Sequence, residues 1–187
     1  WPGERGLPPR ILAGTTDGRL IALDAATGTL VASFGDHGAV NLRAGVADKY
    51  PRAPYLMASP GLIYKNLIVT GAQGAEDNSE GPAMDVRAWD LRTGKLVWTF
   101  HTIPHPGEPG AETWPADYWK TAGTPANWGF GSVDVARGLI FLPIGQPAPL
   151  TIPLSRSSGV TRASSSTLMQ SFRSGISTRL TTNPGVS

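Results

Sequence analysis

Cysteine is absent from the 187 residues, which excludes a disulfide framework, a thiolate metal site and a cysteine nucleophile. Charged residues are scarce at 16%, and no stretch approaches the roughly 20 apolar residues of a membrane-spanning helix. The net charge is only +2, and the basic residues form no run of the kind that follows a phosphate backbone. The sequence therefore predicts no nucleic-acid partner and no membrane segment.

Glycine, proline and tryptophan are abundant, with 23, 17 and six residues. Turn formers and large aromatic residues in this proportion, with few of the charged residues that cover helix surfaces, favour short strands joined by tight turns. Residues 1–149 contain no amphipathic helical pattern longer than two turns. The expected class is all-β.

Two segments, residues 20–34 and 86–100, match each other at a spacing of 66 residues. Each reads as a strand, an Asp-x-x-Thr-Gly turn capped by Asp24 or Asp90, and a second strand. Further hairpins are indicated at three tight turns: Asp17-Gly18, Lys65-Asn66 and Arg137-Gly138. Hairpins repeated at a regular spacing predict consecutive β-propeller blades, with about ten short antiparallel strands in residues 10–149.

A long connection at residues 101–119 holds four prolines and two glycines. Connections of this length are usually functional or disordered loops, and its two tryptophans, Trp114 and Trp119, favour packing over disorder. We therefore expect an ordered insertion.

The composition changes near residue 150. Residues 150–187 contain 16 serines and threonines, no acid and no periodic apolar face, so they are expected to lack stable structure. The chain thus divides into a propeller part, 1–149, and an aberrant or disordered tail, 150–187. A natural disordered extension and a reading-frame change both explain this tail, and the interruption of a blade after its first hairpin favours the frame change.

The hairpin Ala88-Trp-Asp90-Leu-Arg-Thr93-Gly94-Lys95-Leu-Val-Trp98 resembles the tryptophan-docking motif of the pyrroloquinoline-quinone (PQQ) dehydrogenases. Other segments in consistent order resemble the membrane-type glucose dehydrogenase branch of that family: Phe34-Gly-Asp-His-Gly38, Ser59-Pro60, His101-Thr-Ile-Pro104, Gly107-Glu108, Glu112-Thr-Trp114 and Asn127-Trp-Gly129. The resemblance covers about residues 10–149. It implies a fragment, two to three blades of an eight-bladed propeller in which Trp98 docks one blade on the next.

Four residues are expected to contact the cofactor. Trp128 is followed by small residues that would let a flat ligand approach its ring, and the resemblance makes it the floor under PQQ; plain core packing is the alternative. The resemblance also implies that the Ser59 hydroxyl bonds PQQ, although Ser before Pro is a common turn residue. Gly74 and Ala75 are expected to line the same site.

Two residues are candidate ligands for Ca²⁺. The segment 76–80 clusters three carboxylates with an amide, which suits a hard cation, while an acidic surface turn is the alternative. In the methanol dehydrogenase branch a Gly-Ala-Glu segment supplies a calcium ligand, which maps to Glu76. An amide in a Gly-Asn-Pro-Ala-Pro segment supplies another, which maps to Gln146 with a longer side chain.

The resemblance implies oxidation of a sugar or alcohol by hydride transfer to PQQ, with a quinone or cytochrome as electron acceptor, in the periplasm. No residue of this chain matches the family's catalytic Asp, so no catalytic residue is assigned and the chain alone is expected to be inactive. One alternative is a non-catalytic propeller scaffold that binds proteins, in which Ser59 and Trp128 would have no role. Another is a carbohydrate-binding module using Trp114 and Trp119, which leaves the repeat unexplained.

Overall fold

The computed structural model describes residues 1–4, 6–75 and 78–145, together with the backbone of 168–173 and 178–179. Its strands are β1 (Arg10–Gly14), β2 (Arg19–Asp24), β3 (Ala39–Asn41), β4 (Leu62–Tyr64), β5 (Leu67–Thr70), β6 (Val86–Asp90), β7 (Leu96–Phe100), β8 (Ser132–Asp134), β9 (Leu139–Ile144), β10 (Leu168–Arg173) and β11 (Thr178–Arg179). Within these ranges the helices are two short 3-10 turns, Ala111–Thr113 and Tyr118–Lys120, and neither is long and apolar enough to cross a membrane. The all-β class is confirmed, with nine strands before residue 145 where about ten were expected.

The strands form three antiparallel meanders. Sheet 1 has the order β1-β2-β3, sheet 2 the order β4-β5-β6-β7, and sheet 3 the order β8-β9-β10-β11. Sheet 2 packs against sheet 1 on one face and against sheet 3 on the other. Meanders stacked in a row are the arrangement of propeller blades, so the partial propeller is confirmed.

Two apolar cores separate the sheets. Phe34 and Trp89 are buried in the core between sheets 1 and 2, whereas Trp98 packs on the core between sheets 2 and 3, which contains Ile140. Trp89 and Trp98 lie on neighbouring strands, where Trp98 pairs with Ala88. Because successive side chains of a strand point to opposite faces, the two tryptophans serve different cores, and both are packing residues.

The two Asp-x-x-Thr-Gly turns have the same local geometry. The carboxylates of Asp24 and Asp90 each accept hydrogen bonds from the backbone N–H groups two and three residues later and from the threonine hydroxyl, at 2.9–3.1 Å. Gly28 and Gly94 then adopt φ values of 72° and 70°. A residue with a Cβ is disfavoured in this left-handed region, which explains the glycine at each turn.

The second arm of the Asp24 hairpin differs from the expectation of a continuous strand. Leu30 forms only an isolated bridge with Leu23, and regular pairing with β2 resumes at β3. Between them, Gly35 and Gly38 have φ values of 57° and 95°. These turn conformations interrupt the strand and place the fully buried Phe34 ring in the core between sheets 1 and 2.

Two buried arginines join sheet 1 to sheet 2 at opposite ends. Arg10 on β1 donates to two carbonyls of the β6–β7 turn at 2.7 and 2.8 Å. Arg87 on β6 donates to the carbonyl of Leu42, after β3, and to the hydroxyl of Tyr55. Both arginines are 3% exposed, so these bonds replace water contacts that folding removes.

The insertion after β7 is packed, as expected from its tryptophans. Trp114 stacks on Tyr118 with a centroid distance of 5.8 Å, and Trp119 contacts the ring of His105 at 4.4 Å. A bridge between Glu80 and Ala122 ties the insertion to the loop before β6. The insertion is therefore an ordered part of the fold that is tied to the loop before sheet 2.

Two segments of the tail form strands, whereas the composition predicts that residues 150–187 lack stable structure. Strand β10 pairs with β9, and β11 pairs with β10, so that sheet 3 becomes a four-stranded meander. Backbone N–H and C=O groups can extend a ladder whatever the local composition, which is why composition missed these strands. The other tail positions lie outside the described residues, so the boundary at residue 149 and the two explanations of the tail stay predictions.

Candidate functional site

A narrow cleft lies between sheets 2 and 3, where the ends of β5 and β9 meet the segments at residues 59–60 and 127–131. Its lining consists of small, apolar and uncharged polar residues: Ser59, Pro60, Leu62, Val69, Gly71, Asn127, Gly129, Gly131 and Leu142. The cavity volume is about 10 Å³, which is room for about one water molecule. The cleft itself holds no larger ligand, and its lining residues carry no charge.

Ser59 and Trp128, which were each predicted to contact the cofactor, are joined by a hydrogen bond. The Ser59 hydroxyl donates a hydrogen bond to the backbone carbonyl of Trp128, 69 residues away in the chain. This bond joins the loop before β4 to the segment that follows the insertion. A hydroxyl keeps acceptor capacity after donating once, so Ser59 can still accept a bond from a neighbouring group.

Asn127 anchors the backbone beside Trp128. Its side-chain nitrogen donates to the carbonyl of Pro143 at 2.8 Å, and the backbone N–H of Gly145 donates to the carbonyl of Ala126 at 2.9 Å. Asn127 is buried, at 5% exposure. The end of β9 thus holds the 126–128 segment in place at two successive residues.

The Trp128 side chain is 52% exposed. Its backbone is held by Ser59 and by the neighbouring Asn127, and half of its surface is accessible among the described residues; the cofactor role and the core-packing alternative both stay predictions. A Cβ added to Gly145 would lie 3.8 Å from its indole nitrogen, which shows that a glycine backbone passes close to the ring. A planar ligand needs a flat aromatic face that it can reach, and Trp128 offers one.

Glycine allows the two sheets to approach each other at this site. A Cβ on Gly71, directly after β5, would overlap the backbone oxygen of Asn127. Any side chain there would push the Asn127 segment away from sheet 2. Gly71 was not assigned to the site from the sequence, although a glycine directly after an apolar strand is a recognisable signal of close backbone approach.

Gly74 lies against a different part of the molecule. A Cβ at this position would overlap Cε of Met84 and lie 3.1 Å from the carbonyl oxygen of Pro54. Met84 is buried in the core between sheets 1 and 2. Gly74 is therefore required for packing in that core, and Ala75 follows it as a half-buried residue; their expected contact with a cofactor stays a prediction.

Both expected metal ligands, Glu76 and Gln146, lie outside the described residues. Within the described part of the chain, no group of three or more His, Asp, Glu or Cys side chains is placed to hold a metal ion. The calcium assignment thus stays a prediction that depends on these two oxygen donors.

The chain was compared with known families and proteins. The family of glucose/ethanol/alcohol dehydrogenase β-propeller domains matches residues 1–175. This match extends past residue 149, where the composition suggests that the propeller part ends.

Similar proteins are dehydrogenases of several substrates. The glycerol dehydrogenase large subunit of Gluconobacter oxydans is 31% identical over 166 residues, covering 89% of this chain and 22% of that protein. The quinoprotein glucose dehydrogenase of Escherichia coli is 29% identical over 143 residues, covering 76% and 18%. The structure of quinohemoprotein alcohol dehydrogenase ADHIIG from Pseudomonas putida matches with a TM-score of 0.58 and 27% identity, covering 74% of this chain and 20% of that one. The chain spans about a fifth of the length of these curated relatives.

Proposed function

The chain belongs to the family of glucose/ethanol/alcohol dehydrogenase β-propeller domains, and we propose that it is part of a PQQ-dependent dehydrogenase that oxidises a hydroxyl group of a sugar or an alcohol. The observation that carries this proposal is the half-exposed indole of Trp128, whose backbone is held by Ser59 and flanked by Asn127.

The residues present fit a planar tricyclic quinone on one condition, that the ring lies on the Trp128 face and not in the narrow cleft. Trp128 would stack on the ring system, and the Ser59 hydroxyl would turn from the Trp128 carbonyl to donate to one of its oxygens. When bound, PQQ supplies the acceptor for a hydride from the carbinol carbon, while the hydroxyl proton passes to a base and the alcohol becomes a carbonyl compound. The chain's own residues bind and orient the cofactor.

Glu76 and Gln146 are proposed to bind Ca²⁺ beside the cofactor through a carboxylate and an amide oxygen. Gly74 and Ala75 would place Glu76 at the site. The periplasm, and a quinone or cytochrome as electron acceptor, complete this proposal for the whole enzyme.

Binding of PQQ to the purified chain tests the cofactor site. We expect Trp128→Ala to weaken binding at least about tenfold, because a stacked aromatic pair contributes about 1 kcal/mol beyond the area that it buries. Trp114→Ala is the matched control, since Trp114 stacks on Tyr118 in the insertion and should leave PQQ binding unchanged. Equal affinities of the wild type and the Trp128 variant would contradict the assignment and favour the scaffold function.

Calcium dependence and turnover are measured with the same samples. Ca²⁺ should strengthen PQQ binding by the wild type, and Glu76→Gln should remove this effect. With PQQ and Ca²⁺ supplied, dye-linked oxidation of glucose or ethanol should stay at the level of free PQQ, because no residue of this chain matches the catalytic Asp that the resemblance implies. Turnover well above free PQQ that disappears in Trp128→Ala would show that a catalytic residue of this chain has been overlooked.

A further inference from the structure

Residues 121–128, which we call the floor segment, end at Trp128 and are bonded to other parts of the fold at several points. Two backbone hydrogen bonds, at 2.9 and 3.1 Å, join residues 121–123 to residues 79–81 in the loop before β6. These bonds lie several residues away from Trp128. Loss of a single contact beside Trp128 would therefore leave the floor segment attached, and would change only the position of the residues at its end.

Asn127 lies between two sheets, directly before Trp128. On one side its side-chain nitrogen donates to the carbonyl of Pro143, in β9 of sheet 3, at 2.8 Å. On the other side is Gly71, which follows β5 of sheet 2, where an added Cβ would overlap the backbone oxygen of Asn127 and lie 2.6 Å from its Oδ1. The Asn127 side chain is thus restrained by sheet 3 and by sheet 2 at the same time.

The importance of Asn127 increases when the cofactor is bound. In the proposed complex the Ser59 hydroxyl turns from the carbonyl of Trp128 to the quinone, so the bond that it makes to the Trp128 backbone is given up. The bond from Asn127 to Pro143 does not involve a group that contacts the cofactor, and it remains. Asn127 then holds the backbone beside Trp128 while the Trp128 ring carries the cofactor.

We propose that Asn127 is a positioning residue, which sets the orientation of the Trp128 ring and thereby the affinity of the chain for a planar quinone. This inference rests on the proposed function of Trp128. Asn127 is 5% exposed, so it acts through the backbone of its neighbour. Stacking of two flat ring systems depends on their offset and separation, and a binding group is effective only when surrounding hydrogen bonds fix its geometry.

Equilibrium dialysis of the 187-residue chain against PQQ, with and without the two side chains, tests this coupling. Asn127→Ala should weaken PQQ binding about fivefold, which is less than the tenfold expected for Trp128→Ala because the ring is misplaced and not removed. The double variant should bind no more weakly than Trp128→Ala alone, because Asn127 has no effect without the ring that it positions. Additive losses in the double variant would overturn the inference.

Asn66→Ala is the matched control at the opposite end of sheet 2. Asn66 lies at the β4–β5 turn and donates to Asp90 at 3.2 Å, so both substitutions remove one side-chain hydrogen bond and should lower the urea midpoint. Only Asn127→Ala should weaken PQQ binding. If Asn66→Ala weakened it by the same factor, the cause would be a general loss of folded protein and the inference would be wrong.

Gly71→Ala disturbs Asn127 from the other side, by an added contact and not by a lost bond. Gly71 does not have a positive φ, so the effect of this substitution comes from the overlap with Asn127. We expect PQQ binding to weaken about fivefold here as well, and no further weakening when Trp128→Ala is present. If Asn127→Ala does not fold, Gly71→Ala decides the question, since an unchanged PQQ affinity would overturn the inference.

The fluorescence of Trp128 gives a measurement that needs no cofactor. The difference between the emission of the wild type and that of Trp128→Phe isolates the contribution of this indole. Asn127→Ala should shift its emission maximum and raise its quenching by acrylamide, whereas Asn66→Ala should change neither. An unchanged Trp128 emission in Asn127→Ala would overturn the inference.

The same experiments separate failure of this inference from failure of the proposed function. Equal PQQ affinities of the wild type and Trp128→Ala would overturn the cofactor site, and this inference with it. Weaker binding by Trp128→Ala together with unchanged binding by Asn127→Ala would overturn only the positioning role of Asn127.

Discussion

The turns at Asp24 and Asp90 have matching sequences and matching hydrogen bonds, yet their surroundings differ. The Asp24 turn projects into solvent, and a Cβ added to Gly28 would meet nothing within 4 Å. The Asp90 turn is pressed against sheet 1, where a Cβ on Gly94 would lie 2.8 Å from the backbone nitrogen of Gly35.

Several bonds hold the Asp90 turn in this position. The backbone N–H of Gly35 donates to the carbonyl of Thr93 at 2.9 Å, and Arg10 donates to the two carbonyls that precede it. Arg92 forms an ion pair with Glu4 at 2.9 Å. The same local turn is thus a free loop in one sheet and a contact between blades in the next, so the neighbouring sheet determines how much it contributes to stability.

The largest expected effect comes from removing the buried arginine whose side chain binds the carbonyls of the Asp90 turn. Arg10→Met should lower the free energy of unfolding by about 3 kcal/mol, because two buried carbonyls lose a charged donor. Arg19→Met is the control, since Arg19 forms an exposed ion pair with Asp17 and should cost about 0.5 kcal/mol. Urea unfolding followed by tryptophan fluorescence measures both, and similar losses would mean that the turn is not held by Arg10.

The two glycines give a matched test of the docked turn against the free one. Gly28→Ala and Gly94→Ala both place a Cβ at positive φ, which costs about 1 kcal/mol. Gly94→Ala must in addition displace the backbone at Gly35, so we expect about 2 kcal/mol in total. Equal changes in the urea midpoint for the two variants would show that the backbone at Gly35 moves away from the new Cβ with no loss of stability.

The smallest expected difference concerns the two aspartates and depends on pH. At Asp90 partial burial raises the pKa, but the hydrogen bonds from Thr93 and Arg92 outweigh it and hold the pKa below its usual value. At Asp24 the backbone N–H of Thr27 is the main cause of a lowered pKa. A carboxyl with a lowered folded pKa stabilises the protein above its unfolded pKa, and this contribution disappears as the pH falls through the folded pKa.

Asp90→Ala should therefore reduce stability at pH 7 by about 0.5–1 kcal/mol, allowing for solvent exposure, and the deficit should shrink as the pH falls below about 4. Asp24→Ala should show the same direction with a smaller deficit, because its turn contacts no other sheet. The measurement is a series of urea unfolding curves from pH 7 to pH 3. If the loss of stability in Asp90→Ala grew as the pH fell, the lowered pKa of Asp90 would be contradicted.

Much of the fold could be predicted from the sequence because it depends on neighbouring residues. The Asp-x-x-Thr-Gly turns, the hairpin turns at Lys65 and Gly138 and the packing role of Trp98 follow from carboxylate capping, positive φ and strand alternation. These effects act over a few residues, so one segment of sequence contains all the information. Ser59 and Trp128 were each predicted through resemblance to contact the cofactor, which stays a prediction, and the hydrogen bond between them was not predicted.

The remaining features needed residues that lie far apart in the chain. Phe34 turns inward because sheet 2 is there to bury it, although the repeat predicted a continuing strand. Gly74 leaves room for the Met84 side chain, and Gly71 allows the close approach of Asn127. The rings of His105 and Trp119 also come into contact only in the folded chain. The sequence by itself determined the turns, the strands and the class of fold, because backbone geometry and side-chain alternation are local. Only the tertiary structure decided which turn is docked, which glycine is indispensable and which segments meet at Trp128, because these depend on distances between segments that local patterns do not encode.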